Sequence, residues 1–152
     1  MNEYKLPMQL CEIQVSYKPK RGHRPQVACS TDAFKVLLHC FDMDTIEYQE
    51  EFIVLFLNRA NRVTGYRKLS LGGLAGTVVD VKLILGVALK VVAASIVVSH
   101  NHPSNNLNPS QADIDLTKKI NEACKILDIM LLDHLIVSSE GLYYSFADEG
   151  LI

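Results

Sequence analysis

Residues 52–57 (FIVLFL) form an unbroken apolar run, bounded by Glu50 and Glu51 on one side and by Asn58 to Asn61 on the other. The run does not alternate, so neither face of the strand it forms can be left to water. It reads as a central strand covered on both sides. Covering both faces needs helices, and the remaining sequence offers them in alternation with further strands.

Upstream, Ser30, Thr31 and Asp32 carry N-cap chemistry, and Phe34, Leu37, Leu38 and Phe41 follow at helical spacing. Residues 62–70 read as a second strand pairing back on the first, with Gly72 and Gly73 ending it. A helix is expected over 81–93, apolar on nearly every face and therefore buried. Residues 95–99 read as a strand that delivers His100, and residues 100–109 hold two prolines and four asparagines and must be a loop.

Ser110 starts the next helix, whose stripe is Leu116, Ile120, Ala123 and Leu127. A strand over 129–137 follows, then a turn at Glu140-Gly141 and a last short strand near Tyr143. Mixed strands and helices around one sheet make an α/β or α+β sandwich. At the N-terminus, Cys11, Ile13, Val15 and Tyr17 alternate with Glu12, Gln14 and Ser16, the pattern of a half-buried strand. A basic loop, residues 18–25 (KPKRGHRP), comes next. The expected organisation is an N-terminal strand and basic loop over 1–27 and one domain over 28–152.

Composition removes several function classes. Fifteen Lys and Arg against seventeen Asp and Glu give a net charge of −2, so overall charge argues for neither nucleic acid nor an anionic membrane. The basic loop lacks interleaved aromatic residues, and a solvated loop is the expectation. Cys11, Cys29, Cys40 and Cys124 form no C-x-x-C pair or zinc-finger spacing and are expected to be buried, reduced thiols. The start of the chain has no secretory pattern, and the longest apolar stretch contains Lys90 and reads as core. A cytoplasmic location is the expectation.

The chemistry lies in residues 99–113 (SHNHPSNNLNPSQAD). His100 and His102 are two apart, so in extended chain both project to one side. The loop after them is long enough to bring Asp113 round from the first turn of the next helix. Two nitrogens and one oxygen suit Zn²⁺ and leave a fourth position for water, the arrangement of a catalytic zinc. A hydrolase also needs a base, which Glu50 or Glu51 can supply, and an oxyanion donor, which Ser110 can supply. Each part has a plainer explanation. Two histidines can line a polar loop, Ser110 with Asp113 also fits a capping box, and the two glutamates suit an exposed strand end. The joint pattern H-x-H-x₇-S-x-x-D is far more specific than any of its parts.

That pattern resembles the JAMM (MPN+) metalloprotease motif, and the chain over about residues 28–152 is similar to the C-terminal domain of the bacterial RadC family. Besides the motif, the resemblance is carried by Glu50-Glu51-Phe52, Asn61-Arg62-Val63, Gly76 to Asp80, Ala88-Leu89 and Leu132-Asp133-His134. It implies a cytidine-deaminase-like MPN sandwich, with metal ligands at His100, His102 and Asp113, a glutamate base at Glu50 and a hydroxyl at Ser110. The implied activity is zinc-dependent hydrolysis of an amide in a peptide or protein. Asn101 stands, as in RadC relatives, where JAMM proteases usually carry Ser or Thr, Asn105 stands where the family usually has glycine, and Val81-Lys82 stands in place of the family's Pro-Arg. RadC proteins commonly carry an N-terminal helix-hairpin-helix DNA-binding domain, for which this sequence has no room, so strong nucleic-acid binding is not expected. The other function class is a non-catalytic binding module for DNA repair or a mobile element. A deaminase would need H-x-E and P-C-x-x-C, which are missing. His134 can act as a partner behind the metal ligands or as a structural histidine, and His23 and His39 carry no assignment.

Overall fold

The computed structural model describes residues 13–71 and 79–152. Its five-stranded sheet has the order β2-β1-β3-β4-β5, with β1 (Glu51–Leu57), β2 (Val63–Leu71), β3 (Ser95–Asn101), β4 (Met130–Val137) and β5 (Tyr143–Ser145). β3 and β4 run parallel and the other neighbours antiparallel. Three helices flank the sheet: α1 (Ser30–Leu38), α2 (Val81–Lys90) and α3 (Gln111–Ile126).

β1 is buried at every position, as its unbroken apolar run requires. Ile53, Leu55 and Leu57 pack with Phe34 and Leu37 of α1. Phe52, Val54 and Phe56 pack on the opposite face with Ile84 of α2 and Ile120 of α3. Each large side chain buried this way contributes about 1.5–3 kcal/mol. The result is a mixed sheet between two helical layers, an α/β sandwich of the JAB/MPN type.

Several expectations change, among them that of a loop throughout residues 100–109, since β3 runs on through His100 and Asn101. Residues 13–17 pair with no strand among the described residues, and Ile13 and Val15 are exposed. The bridge to the start of β2 is made further along, by Gln26 with Arg62, so alternation alone did not recruit a ladder. Residues 11 and 12 and the expected stop at Gly72-Gly73 lie outside the described residues. α1 begins one residue after Cys29, which offers no side-chain cap, and the Asp32 carboxylate instead accepts from the Ala28 N–H.

α2 ends at Lys90, and Leu83 and Leu89 face out rather than in. The helix buries Val81, Ile84 and Ala88, with Leu85 and Val87 partly buried against the same core. Its stop is a Schellman closure: the Ala93 N–H donates to Ala88 and the Val92 N–H to Leu89, with Val92 left-handed at φ 53°. Finally, Cys29 is exposed, while Cys40 and Cys124 are buried thiols whose pKa burial pushes up to about 11. No helix among the described residues is long and apolar enough to cross a membrane.

Candidate metal centre

β3 carries His100 near its C-terminal end, in register with Phe52 of β1 on one side and Ile136 of β4 on the other. His102 follows on the loop, and Asp113 sits in the first turn of α3. Two local devices hold that loop. Asn105 adopts the left-handed conformation at φ 59°, and its side-chain oxygen accepts from the Ser139 N–H at 3.0 Å. Asn tolerates this backbone better than most residues, so the loss of glycine leaves the turn intact. At the far end, Ser110 and Asp113 form a reciprocal capping box on α3.

The structure brings His100, His102 and Asp113 together. The His100 and His102 Nε2 atoms are 3.0 Å apart. Asp113 Oδ1 lies 3.2 Å from His100 Nε2, and Oδ2 lies 3.5 Å from His102 Nε2. A tetrahedral ion with bonds of about 2.0 Å has ligand–ligand edges of about 3.3 Å. The donor triangle therefore already has the dimensions that zinc requires. The His102 Nδ1–H donates to the Asn106 carbonyl at 2.5 Å, which leaves its Nε2 for the centre.

The same neighbours favour a proton on His102. Hydrogen bonding to Asp113 raises the His102 pKa against the opposing effect of burial, helped by the Asn106 carbonyl and the charges of Asp113 and Glu50. Burial alone would raise the Asp113 carboxyl, but the neighbouring His100 and His102 rings and the Ser110 hydroxyl outweigh it and hold it far below the usual carboxylate range. A cation bound at His102 Nε2 would compete with a proton for that nitrogen.

The two glutamates separate. Glu51 is buried and turned to Lys68, whose Nζ lies 3.0 Å from its carboxylate. Glu50 is half-buried, and its charge acts on His102. Asn101 fixes this arrangement. Its side chain is fully buried, accepts from the Glu51 N–H at 2.7 Å, and donates to the Ile46 and Gln49 carbonyls at 2.7 Å each. The residue that departs from the JAMM pattern thus clamps the turn that leads into Glu50.

Ser110 lies beside the triad, but its hydroxyl donates to Asp113 Oδ2 at 2.6 Å. To serve an oxyanion it must redirect that proton. His134 is fully buried, with its Nε2 2.8 Å from His100 Nδ1. Thr117, which no sequence signal singled out, lies 2.6 Å from His134 Nδ1.

Fold and site together define a JAB/MPN-type domain with a potential metal centre. The sequence matches the family model described as "RadC-like JAB domain" over residues 27–151, and the chain belongs to the RadC family. It is 55% identical over 102 residues to a UPF0758 protein of Flavobacterium johnsoniae, covering 67% of this chain and 44% of that protein. A UPF0758 protein of Aquifex aeolicus is 35% identical over 141 residues, covering 92% and 59%. The UPF0758 protein YfjY of Escherichia coli is 38% identical over 104 residues, covering 68% and 64%. The chain thus spans roughly half of the length of the relatives it matches. Their names state no activity.

Proposed function

We propose that this domain is a zinc-dependent metallopeptidase or isopeptidase that hydrolyses an amide bond in a peptide or protein with water. The observation that carries the reading is the donor triangle of His100, His102 and Asp113, with edges of 3.0, 3.2 and 3.5 Å. A bound zinc would supply Lewis acidity, which brings the pKa of a coordinated water to about 7. In this reading Glu50 takes the proton of the attacking water and later returns it to the leaving amine. Ser110 turns its hydroxyl from Asp113 toward the oxyanion, and Asn101 keeps Glu50 in reach.

The test is metal content together with cleavage of a peptide library. Protein purified without added metal should hold close to one zinc per chain, and His100→Ala or His102→Ala should lose it. Affinity should rise with pH through the raised His102 pKa, because the ion competes with a proton for that nitrogen. In the metal-free protein the sign is opposite. Protonated His102 stabilises the fold below the ordinary imidazole value of about 6.5, and this contribution is lost as pH rises through the raised one. A wild-type protein that takes up no zinc when zinc is supplied would sink the proposal.

One observation favours a second reading, a binding module for DNA. Lys18, Lys20, Arg21 and Arg24 line a cavity closed by Val63 and Thr64 of β2, with the Tyr17 hydroxyl donating to the Thr64 carbonyl at 3.0 Å. Tyr17, the residue next to this loop in sequence, adds an aromatic ring to the same cavity. We keep the expectation of weak, non-specific binding at best, at about 10⁻⁴–10⁻⁶ M in physiological salt. Sub-micromolar binding to duplex or branched DNA at that salt would reverse the ranking.

A further inference from the structure

Four polar groups at and behind the candidate metal centre form one continuous chain, and the direction of every hydrogen bond in it can be deduced. Thr117 Oγ1 lies 2.6 Å from the Asp113 carbonyl oxygen and 2.6 Å from His134 Nδ1. A carbonyl only accepts, and a hydroxyl has one proton to give. That proton therefore goes to Asp113, and Thr117 must accept from His134, whose proton sits on Nδ1.

His134 is fully buried among apolar rings, with Phe146 stacked at 4.6 Å and Phe52 edge-on at 5.9 Å. Such a cage disfavours an imidazolium, so the ring is neutral and its Nε2 carries a lone pair. His100 Nδ1, 2.8 Å away, must then be the donor. With its one ring proton on Nδ1, His100 presents a bare Nε2 to the donor triangle.

We propose that Thr117 and His134 are positioning residues that lock His100 in the one tautomer able to hold a metal. The proposal rests on the reading of His100 as a ligand and assigns neither residue a contact with the ion. The chain starts at the backbone of one ligand, Asp113, and ends on the ring of another, His100. It thereby couples helix α3 to strand β3 through β4. An ordinary structural hydrogen bond would need no particular direction, whereas this one works in only one sense.

Reversal is what the test seeks. In Thr117→Val, a near-isosteric change, the Nδ1–H of His134 has no acceptor, and its proton moves to Nε2. It then donates to His100 Nδ1 and forces the His100 proton onto Nε2, where the ion must bind. Zinc affinity, read by chelator competition, should fall by roughly 10–100-fold, the usual effect of losing a partner behind a ligand. Thr117→Ser should restore it. Nitrogen-15 NMR of the metal-free protein gives a readout that needs neither zinc nor substrate. Wild type should show His134 and His100 both protonated on Nδ1, and Thr117→Val should show both protonated on Nε2.

A wild-type His100 protonated on Nε2 would overturn the lock, as would a Thr117→Val protein with unchanged tautomers and affinity. Wild type without zinc affinity would overturn the metal reading instead, and the nitrogen spectrum would still decide the lock.

Discussion

Glu50→Gln should keep its zinc and lose hydrolysis by roughly 10²–10⁴-fold, the usual worth of a general base. The substitution preserves size and hydrogen bonding but cannot accept a proton. Because Glu50 is not among the three donors, metal content should match wild type, which separates loss of the base from loss of the site. Glu51→Gln is the control for register. Neighbouring strand residues face opposite sides, and Glu51 is engaged by Lys68. Its loss should cost stability at the ion pair and leave turnover nearly unchanged. A Glu51→Gln protein that loses catalysis while Glu50→Gln retains it would exchange the two roles.

Asn101→Asp should be among the most destabilising isosteric changes in the domain. The new oxygen would keep the bond from the Glu51 N–H but would set a second oxygen against the Ile46 and Gln49 carbonyls, where the amide now donates at 2.7 Å to each. The buried Ile46 carbonyl and the partly buried Gln49 carbonyl lose their donor, at about 1–3 kcal/mol for a fully buried acceptor, and a buried carboxylate is added without a cation. A loss of about 3–5 kcal/mol is expected by denaturant titration at neutral pH. It should shrink at low pH, where the carboxyl is protonated and can donate to one of the carbonyls. A change below about 1 kcal/mol would mean that the turn before Glu50 is held by something other than Asn101.

The sequence was most legible where a pattern is local. The apolar run of β1, the periodicity of α3 and the H-x-H spacing each describe residues close enough along the chain to share one element. His100 and His102 belong to this class, and Asp113 follows on the next element, where the capping-box spacing marks the first turn of α3. What was not legible depends on distant partners. Thr117 is an ordinary helix residue until β4 brings His134 against it. Asn101 read only as a departure from a motif, because its partners, Ile46, Gln49 and Glu51, lie some fifty residues away. Residues 13–17 show the converse error: alternation specifies which side chains would face inward, but a strand also needs a neighbour to pair with. For α2, apolar composition could not say how many faces would have neighbours, and Leu83 and Leu89 were left outside.

All three candidate ligands come from one short stretch between the end of β3 and the first turn of α3, so a cation held there would clip a loop that is cheap to close in any state of the chain. An unfolded chain retains the same two imidazoles and carboxylate within easy reach of each other. Zinc would then bind the denatured ensemble as well, and only the difference between the two affinities stabilises the fold. Thermal shift on adding zinc would therefore understate how tightly the native centre holds it. The surplus affinity of the native state would measure what the distant groups, His134, Thr117 and Asn101, add by organising a segment that could otherwise chelate without them.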